Sequence, residues 1–189
     1  MIRYVQTCGG DKETTSTTPF DVPLPLTRKD LGRWLKAQGY QRGAEVGVEQ
    51  GKFAEVLCRA GLELLCVDPW RAWPDYRTHL DQAEWDRLMA VACERLAPYP
   101  AKIVRATSVE AAQDVPDDSL DFVYIDGKHD WESVELDIVV WREKVRDGGM
   151  ICGHDWNLGS VKQGFYRVFT GPPLQVTVAD RSPSWMVRA

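Results

Sequence analysis

Short apolar runs alternate along this chain with longer segments whose apolar residues recur every three or four positions. The short runs predict β-strands, and the longer segments predict amphipathic helices that bury one face. The predicted strands cover residues 44–48, 62–67, 102–105, 120–125, 150–153, 175–178 and 185–188. The predicted helices cover residues 27–39, 51–60, 81–96, 130–144 and 160–169.

This order of elements predicts the class of fold. A strand followed by a helix, repeated along the chain, indicates a parallel sheet with helices on both faces. The last two predicted strands flank a short turn around residues 180–183, and such a connection makes them an antiparallel hairpin. We therefore predict an α/β fold with a doubly wound, mostly parallel, seven-stranded sheet that ends in a C-terminal antiparallel hairpin.

The N-terminal segment lacks any sustained hydrophobic period. Residues 11–18 are a polar, low-complexity run, and Pro23 and Pro25 indicate an extended linker. We expect residues 1–26 to form a flexible segment and residues 27–189 to form a single domain, which agrees with a length of 189 residues.

A glycine loop follows the first predicted strand. Glu45, Gly47 and Gly51 form the pattern E-x-G-x-x-x-G, and the next strand ends in Asp68. A P-loop would need a hydroxyl residue after its lysine, and here Lys52 precedes a phenylalanine. A dinucleotide loop would need a third glycine beside a pyrophosphate, and a carboxylate disfavours that ligand.

A nucleoside that carries a cation in place of a diphosphate fits this loop better. S-adenosylmethionine has a sulfonium, an ammonium and ribose hydroxyls, so Glu45 and Asp68 offer suitable acceptors. The alternative is an ordinary strand-to-helix turn at Gly47 and Gly51, with Asp68 as a helix cap.

A second group of polar residues follows the fourth and fifth predicted strands. Asp126 and His129 come after one strand, and His154 and Asp155 come after the other. Carboxyl ends of neighbouring parallel strands meet at one edge of a sheet, so these side chains should lie beside the glycine loop. Such a group can bind a metal ion or hold a general base near an acceptor hydroxyl. The alternative is that they satisfy loop hydrogen bonds, with His129 beside a helix cap at Asp130.

The order and spacing of these motifs resemble those in the sequences of a known family. The shared pattern comprises the glycine loop, Ser108-x-Glu110, residues 121–129, Asp137, Trp141, Gly148-Gly149 and residues 153–155. It is similar to that of small bacterial class I S-adenosylmethionine-dependent methyltransferases of the methyltransferase domain 24 type. The resemblance implies a Rossmann-like class I methyltransferase fold that binds S-adenosyl-L-methionine.

The resemblance also implies roles for individual residues at the cofactor site. Gly47 and Gly51 would let the backbone pass close to the cofactor, Glu45 would orient its methionine end, and Asp68 would accept from the ribose hydroxyls. Asp126 would lie beside the cofactor. Ser108 would either hydrogen-bond the adenine or cap the helix that follows it.

Metal-dependent relatives of this type suggest roles for the second group. Their metal carboxylates match Asp126 and Asp155, and the proposed base of the sugar-modifying enzymes matches His129. The third ligand departs from both patterns, because His154 precedes Asp155 and Trp156 follows it. We therefore expect His129 and Asp126 to be catalytic. Asp126, Asp155 and His154 are the candidate ligands for Mg²⁺ or another divalent cation.

The predicted function is S-adenosylmethionine-dependent O-methylation of a small polar or sugar-like acceptor, assisted by a metal. Trp70, Trp73 and Trp156 are candidates to stack on that acceptor, and the alternative is that they are packing residues or part of an oligomer interface. One alternative is a metal-dependent, hydroxylase-like enzyme that holds iron with two histidines and one carboxylate. Another is a non-catalytic S-adenosylmethionine-binding module, because a fold alone does not prove activity.

The composition of the chain indicates which kinds of partner and which cellular compartment to expect. The chain has 28 acidic and 23 basic residues, a net charge of −5, and no basic run, which argues against nucleic acid as a partner. No apolar run is long enough to span a membrane, and the N-terminus lacks a secretory pattern. Five scattered cysteines without a C-x-x-C motif fit a reducing cytoplasm. A small-molecule acceptor and, on base rates alone, a homodimer are expected.

Overall fold

The computed structural model describes residues 24–73, 80–177 and 179–189. The predicted flexible segment, residues 1–26, therefore lies mostly outside the described residues. Part of the loop that follows Asp68 and carries Trp70 and Trp73 also lies outside them. The helices are α1 (Arg28–Ala37), α2 (Lys52–Arg59), α3 (Gln82–Leu96), α4 (Ser108–Gln113), α5 (Trp131–Arg142) and α6 (Gly159–Val168). The strands are β1 (Arg42–Val46), β2 (Glu63–Asp68), β3 (Ala101–Arg105), β4 (Leu120–Ile125), β5 (Val145–Gly153), β6 (Gln175–Val176) and β7 (Trp185–Arg188).

The seven strands form one sheet in the order β3-β2-β1-β4-β5-β7-β6. Strands β1 to β5 pair in parallel, and β7 runs antiparallel to both β5 and β6. The predicted mostly parallel sheet with a terminal antiparallel hairpin is confirmed. The strand order reverses beside β1, and the crevice at such a switch point is where open α/β sheets bind ligands.

Two separate cores, one on each face of the sheet, confirm the doubly wound arrangement. Helices α1, α2 and α3 bury Leu31, Leu57 and Ala92 against one face. Helices α4, α5 and α6 pack on the opposite face, where Ile138 and Phe165 are fully buried. Strand residues alternate between these cores, as the period of two along a strand requires.

The boundary between α5 and β5 differs from the sequence prediction. Residues 130–144 are predicted to be helical and the next strand to begin at residue 150, but α5 ends at Arg142 and Val145 begins a strand that pairs with Leu120. The pairing shifts register between Leu120 and Phe122. Gly148, with φ of +74°, lies in this irregularity, where a glycine adopts the left-handed conformation most easily.

Helix caps also differ in detail. Thr27 precedes α1 as predicted, but its hydroxyl donates to the Asp30 carboxylate and makes no bond to a backbone amide. The cap of α4 is Thr107, whose hydroxyl accepts from the Glu110 amide while the Glu110 carboxylate accepts from the Thr107 amide. Ser108 is therefore the first helical residue, and the expectation that it caps the helix is wrong. In the described part of the chain, no helix is long and apolar enough to cross a bilayer.

Candidate active site

A cavity of about 680 Å³ opens at the carboxyl edge of the sheet. It is lined by most of the residues predicted to contact the cofactor, and these are Glu45, Gly47, Asp68, Ser108 and Asp126. Gly51 does not line the cavity. A Cβ on Gly51 would lie 3.1 Å from the Leu96 side chain, so this glycine serves the turn and the packing of α2 against α3.

The loop between β1 and α2 is organised around the carboxylate of Asp68. One oxygen accepts from the amides of Val48 and Glu49, at 3.0 and 2.9 Å, and the other accepts from the Trp70 amide at 2.8 Å. Burial raises the pKa of Asp68, and the three amides oppose that shift. A carboxylate has roughly four acceptor positions, so the three amides leave about one of them open.

Glu45 lies inside the cavity wall with 1% of its surface exposed. Burial raises the pKa of its carboxyl well above the ordinary value. Among the described residues, its Oε2 atom has no hydrogen-bond partner. A buried acceptor without a partner costs free energy, so this atom is available to a donor that the described residues do not provide.

Asp126 links the cavity to the second polar group. Its Oδ2 accepts from the Arg28 guanidinium at 2.6 Å. Its Oδ1 lies 3.4 Å from Nδ1 of His154 and 3.6 Å from Nε2 of His129. The structure therefore brings the four predicted strand-end residues together, because Asp155 lies 2.9 Å from His129 and 3.2 Å from His154.

The charges in this group stabilise one another. The two neighbouring carboxylates raise the pKa of His129 to about 9. The same carboxylates overcome the effect of burial at His154 and raise its pKa to about 9 as well. The two histidines hold the pKa of Asp155 far below its usual range. No carboxylate oxygen lies along the Nε2–H direction of His129, so its contact with Asp155 is an ion pair and not an aligned hydrogen bond.

Three of these residues form a set that could hold a divalent cation. Ligand atoms of Asp126, His154 and Asp155 all lie within 4.8 Å of one another. Asp155 has a φ of +53°, an unfavourable value for a residue with a side chain, and such backbone strain clusters at functional sites. Two carboxylates and one imidazole suit ions such as Mn²⁺ or Fe²⁺ and, with fewer nitrogen ligands than oxygens, also admit Mg²⁺. His129 is not part of this set.

The three tryptophans predicted to contact an acceptor occupy different environments. Trp73 lines the cavity and is 43% exposed. Trp70 is fully buried, and its indole donates to the Glu49 carbonyl, so it supports the glycine loop. Trp156 packs edge-on against Phe165 with ring centroids 5.0 Å apart and does not line the cavity. Only Trp73 is placed where stacking on a ligand is possible.

Asp137 is a cavity residue whose chemistry the sequence analysis missed. It lies on the buried face of α5, where burial raises the pKa of its carboxyl to about 7. Ser108 hydrogen-bonds to it and also accepts from the Trp141 indole at 2.8 Å. Asp137 is spaced from Val134 and Ile138 so that it lies on the apolar stripe of α5. This spacing could have indicated from the sequence that its carboxyl is buried.

Replacing Asp137 with asparagine should stabilise the protein more at pH 8 than at pH 5. The folded pKa lies near 7 and the unfolded value near 3.8, so rising pH ionises the unfolded chain first and destabilises the native state. Asparagine removes this titration, and the advantage of the variant should grow by up to about 3 kcal/mol between these pH values. Urea unfolding at several pH values measures it. Parallel stability curves for the two proteins would contradict the assignment.

Arg28 is a second cavity residue that the sequence pattern did not mark. It is the first residue of α1, and its guanidinium lies 4.0 Å from the centre of the Phe53 ring and 5.0 Å from that of Tyr124. It pairs with Asp126 and lies 4.0 Å from Glu45. Asp126, Glu45 and the Tyr124 hydroxyl overcome the effect of burial and raise its pKa, so it remains charged.

Comparisons with known proteins identify the class that this fold and site define. The sequence model of the family described as "Methyltransferase domain" matches residues 44–156, which include the glycine loop and the second polar group. The chain belongs to this family, and the predicted resemblance to class I S-adenosylmethionine-dependent methyltransferases is confirmed.

Solved structures share the fold at low sequence identity. An O-methyltransferase from Bacillus cereus in complex with SAH (S-adenosylhomocysteine) is 14% identical, with a TM-score of 0.61 over 90% of this chain and 84% of that chain. The N-methyltransferase NodS from Bradyrhizobium japonicum is 14% identical, with a TM-score of 0.57 over 85% of this chain and 93% of that chain. Their names give oxygen and nitrogen as acceptors, so the shared fold does not decide the acceptor.

One curated relative matches part of this chain. The uncharacterized protein y4gI of Sinorhizobium fredii is 26% identical over an alignment of 137 residues that covers 69% of this chain. The chain spans only 15% of the length of that relative.

Proposed function

We propose that this domain transfers a methyl group from S-adenosylmethionine to a hydroxyl oxygen of a small polar or sugar-like acceptor, assisted by a divalent cation. The observation that carries the proposal is the position of Asp126. One of its carboxylate oxygens faces the cavity beside Glu45 and Arg28, and the other faces His129 and His154. The Asp126 carboxylate would therefore lie between the methyl donor in the cavity and the methyl acceptor beside the histidines.

The cavity supports the choice of methyl donor. Oε2 of Glu45 is a buried acceptor without a partner among the described residues, Asp68 holds the loop amides, and Gly47 lets the loop lie against the backbone of Asp126. S-adenosylmethionine supplies, when bound, a methyl group on a positively charged sulfur that an oxygen nucleophile can attack. The carboxylates at this edge favour such a positive charge over the diphosphate of a dinucleotide.

His129 is proposed as the base that removes the acceptor proton. Its side chain is 32% exposed and lines the cavity, while its Nε2 is buried 2.9 Å from the Asp155 carboxylate, so Nδ1 is the nitrogen that would take the proton. In the transfer, the acceptor oxygen forms a bond to the methyl carbon and the bond from that carbon to sulfur breaks. The hydroxyl proton passes to His129, and S-adenosylhomocysteine leaves. The neighbouring carboxylates raise the pKa of His129 to about 9, and a cation held by Asp126 and Asp155 would offset their charge and make the neutral, basic form more abundant.

Asp126, His154 and Asp155 would hold the cation. Such an ion would lower the pKa of an acceptor hydroxyl and orient it. The ligand set contains one histidine and two carboxylates, whereas the iron-dependent hydroxylase considered above would hold its iron with two histidines and one carboxylate.

The test separates donor binding, transfer and ion dependence. Calorimetric titration with S-adenosylhomocysteine should give a dissociation constant in the micromolar range. Methyl transfer to a panel of sugars, catechols and hydroxy acids should fall at least tenfold after chelation and return with Mg²⁺ or Mn²⁺. Asp155→Asn should lose this ion response, whereas Asp117→Asn, a change at an exposed carboxylate paired with Lys144, should keep it.

Each outcome decides a different part of the proposal. An absence of S-adenosylhomocysteine binding by the folded protein would overturn it entirely. Binding without transfer to any acceptor would favour a non-catalytic binding module. Full activity after chelation, with Asp155→Asn as active as the native protein, would remove the cation.

A further inference from the structure

Glu45 and Arg28 lie side by side in the cavity wall, and each has a buried polar atom without a hydrogen-bond partner among the described residues. The two side chains lie 4.0 Å apart, too far for a direct hydrogen bond, and both line the same cavity. Oε2 of Glu45 and Nε of Arg28 are both buried without a hydrogen-bond partner among the described residues. An unpaired acceptor therefore lies beside an unpaired donor, in a place where each such group destabilises the protein.

Arg28 is held rigidly enough to act as a binding group. Its backbone amide donates to the Asp180 carboxylate in the C-terminal hairpin, and this contact fixes the start of α1. Its guanidinium lies over the Phe53 ring at 4.0 Å, and one nitrogen is bound to Asp126. The side chain nevertheless keeps 23% of its surface exposed. A guanidinium has five N–H donors, so pairing with one carboxylate oxygen leaves donors for a second anion.

A ligand that binds both Glu45 and Arg28 needs a cationic group and an anionic group close together. An α-amino acid has this arrangement, with its ammonium and carboxylate separated by one carbon. Lys52, Arg71 and Lys128 also line the cavity, but Arg28 is the cation that lies 4.0 Å from the Glu45 carboxyl. A ligand whose ammonium meets Glu45 would therefore bring its carboxylate to the guanidinium. The position of Arg28 between Glu45 and Asp126 therefore marks where such a carboxylate would go.

We propose that Arg28 is a specificity-determining residue that binds the carboxylate of the amino-acid end of the methyl donor. The inference rests on the proposed use of S-adenosylmethionine and adds a residue, on the first helix, that selects ligands with a complete amino-acid end. Arg28 thereby distinguishes the donor from nucleosides that lack the carboxylate. Its bond to Asp126 positions this selection directly beside the proposed site of transfer.

The test compares two ligands that differ only in the carboxylate. S-adenosylhomocysteine and its decarboxylated analogue are titrated calorimetrically into the native protein and into Arg28→Gln. The variant should bind S-adenosylhomocysteine at least tenfold more weakly. Its affinity for the decarboxylated analogue should stay within threefold or increase, because the cationic analogue is repelled by Arg28.

Two further variants separate charge, geometry and folding. Arg28→Lys should recover part of the lost affinity, because an ammonium keeps the charge but not the forked donors. Arg33→Gln removes an arginine from the same helix that is 78% exposed and paired with Asp30, and it should bind both ligands as the native protein does. Circular dichroism and thermal unfolding verify that each variant folds.

The outcomes distinguish this inference from the proposed function. Equal weakening of both ligands by Arg28→Gln would show that Arg28 merely holds Asp126 and would overturn the proposal. Unchanged affinity for both ligands would also overturn it. If the native protein binds neither ligand, the proposed use of the methyl donor fails, and that result is visible before any variant is made.

Discussion

Gly47→Ala should abolish detectable binding of S-adenosylhomocysteine and lower the free energy of unfolding by several kcal/mol. Gly47 has a φ of +92°, and a Cβ there would lie 2.1 Å from the carbonyl oxygen of Asp126 and 2.7 Å from the Gly127 amide nitrogen. These neighbours are backbone atoms and cannot move away like the end of a flexible side chain. The loop would have to shift away from β4, and both the donor cavity and Asp126 would lose their positions.

Gly39→Ala is the matched control for backbone strain. Gly39 has a similar φ of +84°, but a Cβ there would meet nothing within 4 Å. This control should cost only about 1–2 kcal/mol, the price of the left-handed conformation alone, and should leave ligand affinity unchanged. Urea unfolding and calorimetric titration of both variants separate strain from collision. Equal destabilisation of the two variants, or native affinity in Gly47→Ala, would contradict the close approach of the loop to β4.

The carboxyl edge of the sheet could be predicted because it follows from local pattern and chain direction. Alternating strands and helices imply parallel pairing, and parallel pairing places the residues after each strand at one edge. Glu45, Asp68, Asp126 and His154 were therefore expected near one another, and in the structure they are. The prediction needed neither side-chain conformations nor loop geometry.

Details that depend on which atoms meet could not be predicted in the same way. Nothing in the sequence around Arg28 indicates that the first residue of α1 reaches across the sheet to Asp126. The packing of α1 against the sheet determines that contact, and it joins residues 98 positions apart. Likewise, hydrophobic period alone did not place Val145 in β5, because a helix end and a bulged strand offer similar apolar residues over a few positions.

The two polar groups have different tolerance to change, and this follows from how they are built. The glycine loop is held by backbone amides on the buried Asp68 carboxylate, so substitutions there alter both stability and donor binding. His129 is partly exposed and lies in the loop after β4, outside any helix or strand. Substitution of His129 should therefore separate chemistry from folding.

His129→Gln is expected to lower kcat for methyl transfer by about 10²–10⁴-fold, the usual contribution of a positioned general base. Glutamine keeps a polar side chain of similar length but cannot take the acceptor proton. A pH–rate profile gives the clearest comparison, because only the native protein should show the rise in kcat that follows loss of the His129 proton. Affinity for S-adenosylhomocysteine should stay within threefold, because His129 acts on the acceptor and not on the donor.

His154→Gln provides the contrast that assigns the two histidines. His154 belongs to the candidate ligand set with Asp126 and Asp155, and His129 does not. His154→Gln should therefore raise the concentration of divalent cation needed for half-maximal activity, whereas His129→Gln should lower kcat at every cation concentration. A His129→Gln variant with native kcat would remove the base from the proposed mechanism. Loss of cation response in His129→Gln and not in His154→Gln would exchange the roles of the two histidines.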